Sequence, residues 1–291
     1  MSSAIAVADI AAARPRSKAI GWVSRNRTVL AGTSILLMFV IVALVAPWIA
    51  GDPLAIDPLQ RLKRPSAEFW FGTDQLGRDV YNRVVYGTRI SLVVGIGVAA
   101  LATAIGLAIG LLCGYFRRVD DIVMRIMDGM MAIPAILLAI ALMTLMKASL
   151  VIVIVAIAIP EIPRVARLVR SVVLSVRELT YIEAAVSSGT RGLRILSRHI
   201  LPSTVAPLIV QATYVCSAAV LTEAALSFLG AGTPPEIPSW GNVIASGRAY
   251  FQLAPWTIFF PGLMLATTIL AINLVGDGLR DYLDPRIARR L

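Results

Sequence analysis

ISLVVGIGVAALATAIGLAIGLLCGYF, residues 90–116, decides the fold of this chain because none of its side chains is charged. About 20 predominantly apolar residues suffice for a helix to cross the hydrocarbon core of a bilayer. Small residues recur along it at four-residue intervals, in two sets: Ala102, Gly106, Gly110 and Gly114, and Ser91, Gly95, Ala99 and Thr103. Because small residues let helix backbones approach closely in lipid, we predict a membrane-spanning helix packed tightly within the subunit or against a partner.

The composition indicates an integral membrane protein. Hydrophobic residues make up 58% of the chain and charged residues 15%, with a mean hydropathy of +0.80, whereas soluble domains carry roughly 25% charged residues. The net charge of +10 does not indicate nucleic-acid binding, because the basic residues lie in the gaps between apolar stretches and accompany no such motif. Cys113 and Cys216 both lie inside apolar stretches, which favours small core residues over a disulfide or a metal site.

We expect an all-α protein with about six transmembrane helices. The apolar stretches are residues 29–50, 90–116, 129–146, 148–159, 204–230 and 255–275. The fourth is too short to span alone, so it should continue through Pro160, Glu161 and Pro163 as a kinked helix that leaves the membrane. If it is re-entrant instead, the count falls to five. Pro134 and Pro261 should kink their own helices.

The basic residues predict the orientation. With six spans, one side of the membrane holds nineteen Lys and Arg residues and the other holds eight, which places both termini in the cytoplasm. The chain then divides into a cytoplasmic tail (1–28), a first transmembrane helix (29–50), an outer loop (51–89), a core with five further transmembrane helices (90–287) and a cytoplasmic terminus (288–291). The first apolar stretch is long and lacks a small-x-small cleavage site, so we expect an uncleaved anchor rather than a signal peptide.

Several function classes are excluded by what the chain lacks. None of its three lysines follows a glycine in a phosphate-binding loop, and its single histidine, His199, rules out a multi-histidine metal site. There is no pair of intramembrane acids for a proton relay or an intramembrane protease. Transport against a gradient would therefore need energy from another polypeptide. Glu223, the one acid deep in an apolar stretch, is either a gate or pore residue or a solvated or hydrogen-bonded structural acid.

YIEAAVSSGTRGLRILSRHILP, residues 181–202, is a polar interruption on the predicted cytoplasmic side. Glu183-Ala184-Ala185, three residues, Gly189, nine residues and then His199-Ile200-Leu201-Pro202 resemble the EAA loop of ABC importer permeases, with His199 where isoleucine is usual. FGTDQLGRD (71–79) resembles a block of the C-type permeases of oligopeptide and dipeptide importers, as do LSFLG (226–230) and PSWG (238–241). Further similarities extend the match over residues 29–287.

The resemblance implies a type I ABC importer permease fold, in the bacterial cytoplasmic (inner) membrane. It also implies the partners: a second, B-type permease, two ATPase subunits that bind ATP and Mg, and an extracytoplasmic peptide-binding protein. No cofactor is expected in this chain, and lipid is its solvent. Glu183, Ala184, Ala185, Gly189 and Pro202 would form the coupling helix and its connection to the next span.

The resemblance also suggests sites on the outer side. Trp240 joins Glu223 as a possible gate or pore residue. Asp74, Arg78 and Asp79 lie in the loop that would face the binding protein, although Arg78 and Asp79 first suggest ion pairs that fix the loop. Nickel chelates, glutathione or haem remain alternative solutes to peptides. A secondary transporter is the rival class, but only Glu223 could couple an ion and no internal repeat is evident.

Overall fold

The computed structural model describes residues 26–145 and 149–283, which are almost entirely helical. In chain order the helices are α1 (Arg27–Ile49), α2 (Val80–Tyr115), α3 (Arg117–Met131), α4 (Ala135–Leu145), α5 (Leu150–Arg177), α6 (Thr180–Ser187), α7 (Gly192–Phe228), α8 (Trp240–Gly247) and α9 (Trp256–Leu283). Two 3₁₀ turns, Pro58–Gln60 and Arg248–Tyr250, lie in the connections. The predicted tail 1–28 and terminus 288–291 fall almost wholly outside the described residues.

Helix α2 is the centre of the molecule and packs against α5 and α7. The stripe of small residues makes this possible. A Cβ atom added at Gly106 would lie 2.6 Å from Val165 Cβ, and one at Gly110 would lie 2.6 Å from the Ala166 carbonyl oxygen. The second stripe faces α7, since a Cβ at Gly95 would lie 2.6 Å from Val220. The predicted close packing is therefore confirmed, and it occurs within the subunit.

The two ends of the molecule are built differently. At one end, here called the loop end, residues 51–79 and 231–254 lie together, since Trp256 Nε1 donates to the Thr73 carbonyl at 3.1 Å and Trp240 Nε1 donates to the Val84 carbonyl at 3.1 Å. At the other, the coupling end, Gly192 at the start of α7 lies against the Tyr115 ring at the end of α2. The chain thus separates the two functional segments by the length of its long helices.

The predicted third span, 129–146, is not one helix. Residues 117–128, expected to be a loop, are helical in α3, and α3 and α4 are bent by 92° at the short break between them. Pro134 explains the break, because it lacks a backbone N–H and disfavours the helical conformation in the residue before it. The bend at Pro134 is therefore larger than the expected kink, because the helix axis turns by 92°. Residue 146, the predicted end, lies outside the described residues.

The predicted fourth helix does continue through Pro160 and Pro163, as the 28-residue α5. Within the described ranges, four helices are long and apolar enough to span a membrane, namely α1, α2, α7 and α9, and the bent pair α3–α4 is a fifth candidate. Helix α5 carries Glu161, Arg164 and Arg167 within its length, which lowers its hydropathy. The count of six spans therefore stays a prediction.

Two boundaries differ from the prediction. Helix α2 begins at Val80, inside the predicted loop 51–89, because Asp79 caps it by accepting a hydrogen bond from Tyr81 N at 2.9 Å. Helix α7 begins at Gly192, before the predicted span, and Pro202 stands in the first turn of its main α-helical part, Leu201–Phe228, as expected. A π-helical turn, Leu196–Ile200, precedes Pro202. This irregular turn leads the helix into a residue that has no N–H to donate.

Candidate functional site

Helix α6 carries the predicted coupling residues and projects from the coupling end. Glu183 and Ala184 are exposed and Ala185 is half-buried. One side of the segment is anchored, since Ile182 is 2% exposed and both Ile195 and Ile200, in α7, are buried. The helix is thus held by isoleucine side chains while its acidic and small residues face outward.

Gly189 ends α6 in a left-handed conformation, with φ of +75°. Thr190 N donates to the Ala185 carbonyl at 3.1 Å and Gly189 N donates to the Val186 carbonyl at 2.9 Å, the pair of bonds that defines a Schellman motif. A Cβ atom at Gly189 would meet no other atom within 4 Å. Glycine is needed here for its backbone conformation and not for space.

Several apolar side chains in and near α6 are exposed among the residues that the structure describes. Val186 is 55% exposed and Leu193 is 69% exposed, and Leu179 and Tyr181 are also exposed. Pro202 is also exposed, but it belongs to the next helix, α7. Four of the five predicted coupling residues therefore share one protruding segment, and the fifth belongs to the helix behind it.

Ion pairs join α3 to α5 near the coupling end. Arg170 binds Asp120 through two bonds of 2.5 and 2.6 Å, and Arg167 binds Asp128 at 2.6 Å. Arg177 in addition donates to the Gly114 carbonyl at 3.1 Å. Sequence reasoning missed these pairs, because the partners are 39 to 63 residues apart and nothing local connects them.

At the loop end, Asp74 organises residues 72–83. Its Oδ2 accepts from Arg78 Nε at 2.7 Å and Arg83 Nη1 at 2.8 Å, and its Oδ1 accepts from the N–H groups of Leu76 and Arg78. Asp74 is fully buried and Arg83 is 1% exposed. The expectation of loop-fixing ion pairs fits this geometry, but Arg78 pairs with Asp74 and not with Asp79. Arg83 was not predicted from the sequence, because its neighbours along the chain do not distinguish it from any other arginine that follows a loop.

Asp79 has a separate role as the N-cap of α2. Burial raises the pKa of its carboxyl above the ordinary value, and hydrogen bonds from the Tyr81 and Asn82 backbone oppose that rise. Asp74, Arg78 and Asp79 thus fold the loop. With Asp74 buried, the surface that these three residues could offer to a receptor in this conformation is small.

Glu223 is wholly buried near the loop end of α7, so the water access considered above is not found in this conformation. Its Oε1 accepts from Ser239 at 2.7 Å, Ser227 at 2.8 Å and Thr233 at 3.3 Å. These bonds tie α7 to the start of α8. Trp240 is also fully buried and packs edge-on against Phe39, with ring centroids 5.8 Å apart. A gate role for either residue stays a prediction.

The described residues hold no cluster of three or more His, Cys, Asp or Glu side chains suited to a metal ion. Helix α6 projects from the coupling end with exposed apolar side chains, and it connects the long helices α5 and α7. The loop segments 51–79 and 231–254 lie at the opposite end of the molecule.

This arrangement is that of a transporter subunit driven from outside its own chain, and sequence comparison agrees. Residues 106–289 match the family described as the inner membrane component of binding-protein-dependent transport systems. The chain belongs to this family, the permeases of ABC importers, and is a subunit of the bacterial inner membrane.

Curated relatives match nearly the whole chain. A probable peptide ABC transporter permease of Sinorhizobium fredii is 59% identical over 266 residues, covering 91% of each chain. A dipeptide transport system permease of Alkalihalophilus pseudofirmus is 43% identical over 278 residues, covering 95% of this chain and 91% of that protein. The similarity therefore includes both the loop end and the coupling end.

One solved structure shares the fold. An inward-facing MetNI methionine ABC transporter matches with a TM-score of 0.55 and 20% identity, covering 69% of this chain and 96% of the matched chain. At that identity the likeness concerns the fold alone. It supports the arrangement of helices that an ABC importer permease requires.

Proposed function

We propose that this chain is the C-type permease of an ATP-driven, binding-protein-dependent importer of oligopeptides or dipeptides, and that α6 couples it to the ATPase. The observation that carries the proposal is the exposure of α6. Val186 is 55% exposed and Leu193 69% exposed at the end of the molecule, next to a Schellman turn that holds the helix in one orientation. Exposed apolar side chains on an ordered segment are typical of a protein–protein contact.

The mechanism follows from how α6 is attached. The segment connects α5 to α7, and both helices pack on α2. A displacement of α6 by closing ATPase subunits would therefore be passed to the long helices as a rigid-body movement. Glu183, exposed on α6, would contribute charge-assisted hydrogen bonds to the ATPase surface. ATP and Mg would bind only in that partner.

The assembly we propose has this chain beside a B-type permease, on two ATPase subunits, with a binding protein docking at the loop end. Peptides are the favoured solutes because the similar proteins are named for peptide and dipeptide transport. Nickel chelates, glutathione and haem are the alternatives. The solute found in the binding protein that co-purifies with the complex, identified by mass spectrometry, would decide among them. A non-peptide solute would contradict the proposed substrate and leave the coupling unaffected.

The coupling proposal predicts the behaviour of variants in α6. Glu183→Lys and Gly189→Val should reduce peptide uptake at least tenfold, the first by reversing a contact charge and the second by forcing a β-branched residue into a left-handed conformation. Membrane insertion should be unchanged, because neither side chain is part of the core. Uptake into proteoliposomes and binding-protein-stimulated ATP hydrolysis are the measurements.

Gly189→Asn is the matched control, since asparagine tolerates the left-handed region, and it should keep most of the uptake. Full transport-coupled ATP hydrolysis in the Glu183→Lys complex would contradict the role of α6. Gradient-driven uptake by this chain without an ATPase would contradict the importer class.

A further inference from the structure

A pocket with a volume of about 380 Å³ lies at the loop end, outside the coupling segment. One wall comes from the turn that follows Asp74, with Arg78 and Arg83, and the other from the end of α7 and from α8, with Ser227, Asn242 and Ser246. Leu76, Pro235 and Ala245 supply apolar surface. Its volume lies within the range of small-molecule and side-chain binding pockets.

Arg83 is the residue that makes this pocket unusual. It is 1% exposed, and its Nη1 donates to Asp74 at 2.8 Å and to Ser246 Oγ at 3.1 Å. Its Nε is buried and has no acceptor among the described residues. A buried donor without an acceptor is destabilising, and more so when it is charged. The pocket beside it is the place from which an acceptor could come.

The charges around the pocket are unequal. Arg78 and Arg83 both line it, and the carboxylate of Asp74, which accepts from both, is their single partner of opposite charge. Glu223 lies behind the wall of the pocket, where its Oε1 accepts from Ser227, Thr233 and Ser239, and its Oε2 is buried without a donor among the described residues. Arg248 is directed away, to the Phe228 carbonyl. The described residues that line the pocket therefore include two arginines and no acid.

We propose that this pocket binds one carboxylate group, held by Arg83 and Arg78. An anion fits a pocket whose described lining holds two arginines and no acid. Arginine donors suit carboxylates in particular, because the planar guanidinium offers parallel N–H groups. The apolar part of the wall admits the carbon atoms attached to the carboxylate.

Two sources could supply that carboxylate: the C-terminus of a peptide in transit, or an acidic side chain of the binding protein. The first source rests on the proposed peptide transport, and the second needs only the importer class. The carboxylate-binding property itself is independent of both, so it can be tested without transport.

The test uses the assembled transporter in lipid nanodiscs, with trifluoroacetate as the probe and ¹⁹F line broadening as the readout. Arg83→Lys keeps the charge but removes the Nε–H and the planar fork, and it should weaken probe binding at least fivefold. Ala245→Leu fills the pocket without touching the Asp74 pairs, so it should also weaken probe binding at least fivefold. This second variant keeps the proposal testable if the Arg83→Lys complex fails to assemble. Arg61→Lys is the matched control, since Arg61 Nε donates to the Gln75 carbonyl at 2.7 Å nearby without lining the pocket.

Competition then identifies the source. Displacement of the probe by trialanine but not by trialanine amide would identify the peptide C-terminus, and displacement by the purified binding protein would identify an acidic side chain. Either result supports the proposal. Equal broadening in all variants would overturn it, as would displacement by neither competitor, because the site would then bind an adventitious anion only.

Discussion

At the scale of single residues, glycine positions set how close the helices come. Gly106, Gly110 and Gly114 of α2 lie directly against the backbone and valine side chains of α5. Lipid gives helices no hydrophobic reason to associate, so van der Waals contact at such positions supplies much of the packing energy. One added side chain at these positions would push the two helices apart.

We expect Gly110→Val to destabilise the subunit by about 2–3 kcal/mol, because overpacking a tight contact costs that much. A Cβ at this position already lies 2.6 Å from the Ala166 carbonyl oxygen, which belongs to a backbone that cannot move alone. The thermal unfolding midpoint of the purified complex is the measurement. Gly129→Val in α3 is the matched control, since a Cβ there meets nothing within 4 Å. Equal losses in both variants would contradict the packing argument.

The buried polar residues at the loop end have hydrogen-bond and ion-pair partners that the local sequence pattern does not reveal. Asp74, Arg78 and Asp79 stand out in the sequence as a charged block, yet two of them serve an ion cluster that Arg83 completes from inside α2. Glu223 stands out as an intramembrane acid, yet its partners are hydroxyls from a loop that follows it. The charge pattern drew attention to these residues but did not predict the groups to which they are bound.

At the scale of elements, α3 is held to α5 by two ion pairs that differ in exposure. Arg170 and Asp120 are 32% and 14% exposed and share two bonds, whereas Arg167 and Asp128 are 52% and 61% exposed and share one. Water screens the second pair more strongly. In an exposed pair, the conformational entropy that the side chains lose on ordering also offsets the electrostatic attraction between them. The first pair should therefore contribute most of the attachment.

Double-mutant cycles should show this difference. For the Arg170–Asp120 pair, the cycle compares the variant that lacks both side chains with the two variants that lack one each. It should give a coupling energy of about 1.5 kcal/mol. The same cycle for Arg167–Asp128 should give less than about 0.5 kcal/mol. Equilibrium unfolding of the purified complex in dodecyl sulfate measures both cycles. A larger coupling for the exposed pair would contradict the assignment.

The break between α3 and α4 has an element-scale explanation as well. Pro134 predicts that the helix is interrupted at this point. Its local effect on the backbone does not fix the angle between the two helices. The observed 92° depends on α5, to which α3 is attached by the Asp120 and Asp128 pairs. The position of the break was predictable from the sequence, and its size was not.

At the scale of the whole molecule, the chain places two sets of exposed residues at opposite ends. The loop end includes Leu59, which is 88% exposed, and the coupling end includes the exposed Ser188. The distribution of basic residues predicts that the coupling end faces the cytoplasm.

Cysteine labelling tests that orientation. In a background without Cys113 and Cys216, a membrane-impermeant maleimide should label Leu59→Cys in intact spheroplasts. Ser188→Cys should be labelled only after the membrane is permeabilised. Leu193→Cys, also exposed at the coupling end, should behave like Ser188→Cys. Labelling of Ser188→Cys in intact spheroplasts would contradict the predicted topology.

The sequence by itself determined the class, the long apolar helices and the position of the segment that we propose as the coupling helix, because each depends on local properties. Hydropathy over about 20 residues selects a membrane helix, and a left-handed turn after α6 needs the glycine that stands at Gly189. The EAA spacing identified the segment for the same reason, since its residues are close along the chain.

Only the tertiary structure decided which residues face each other. It joined Arg83 to Asp74 and to Ser246, which lies 163 residues further along the chain, and it bent the predicted third span at a short break. These outcomes depend on helix contacts between distant parts of the chain, whose geometry no local pattern encodes. The unpartnered Nε of Arg83, and the carboxylate site that we infer from it, became visible only through those contacts.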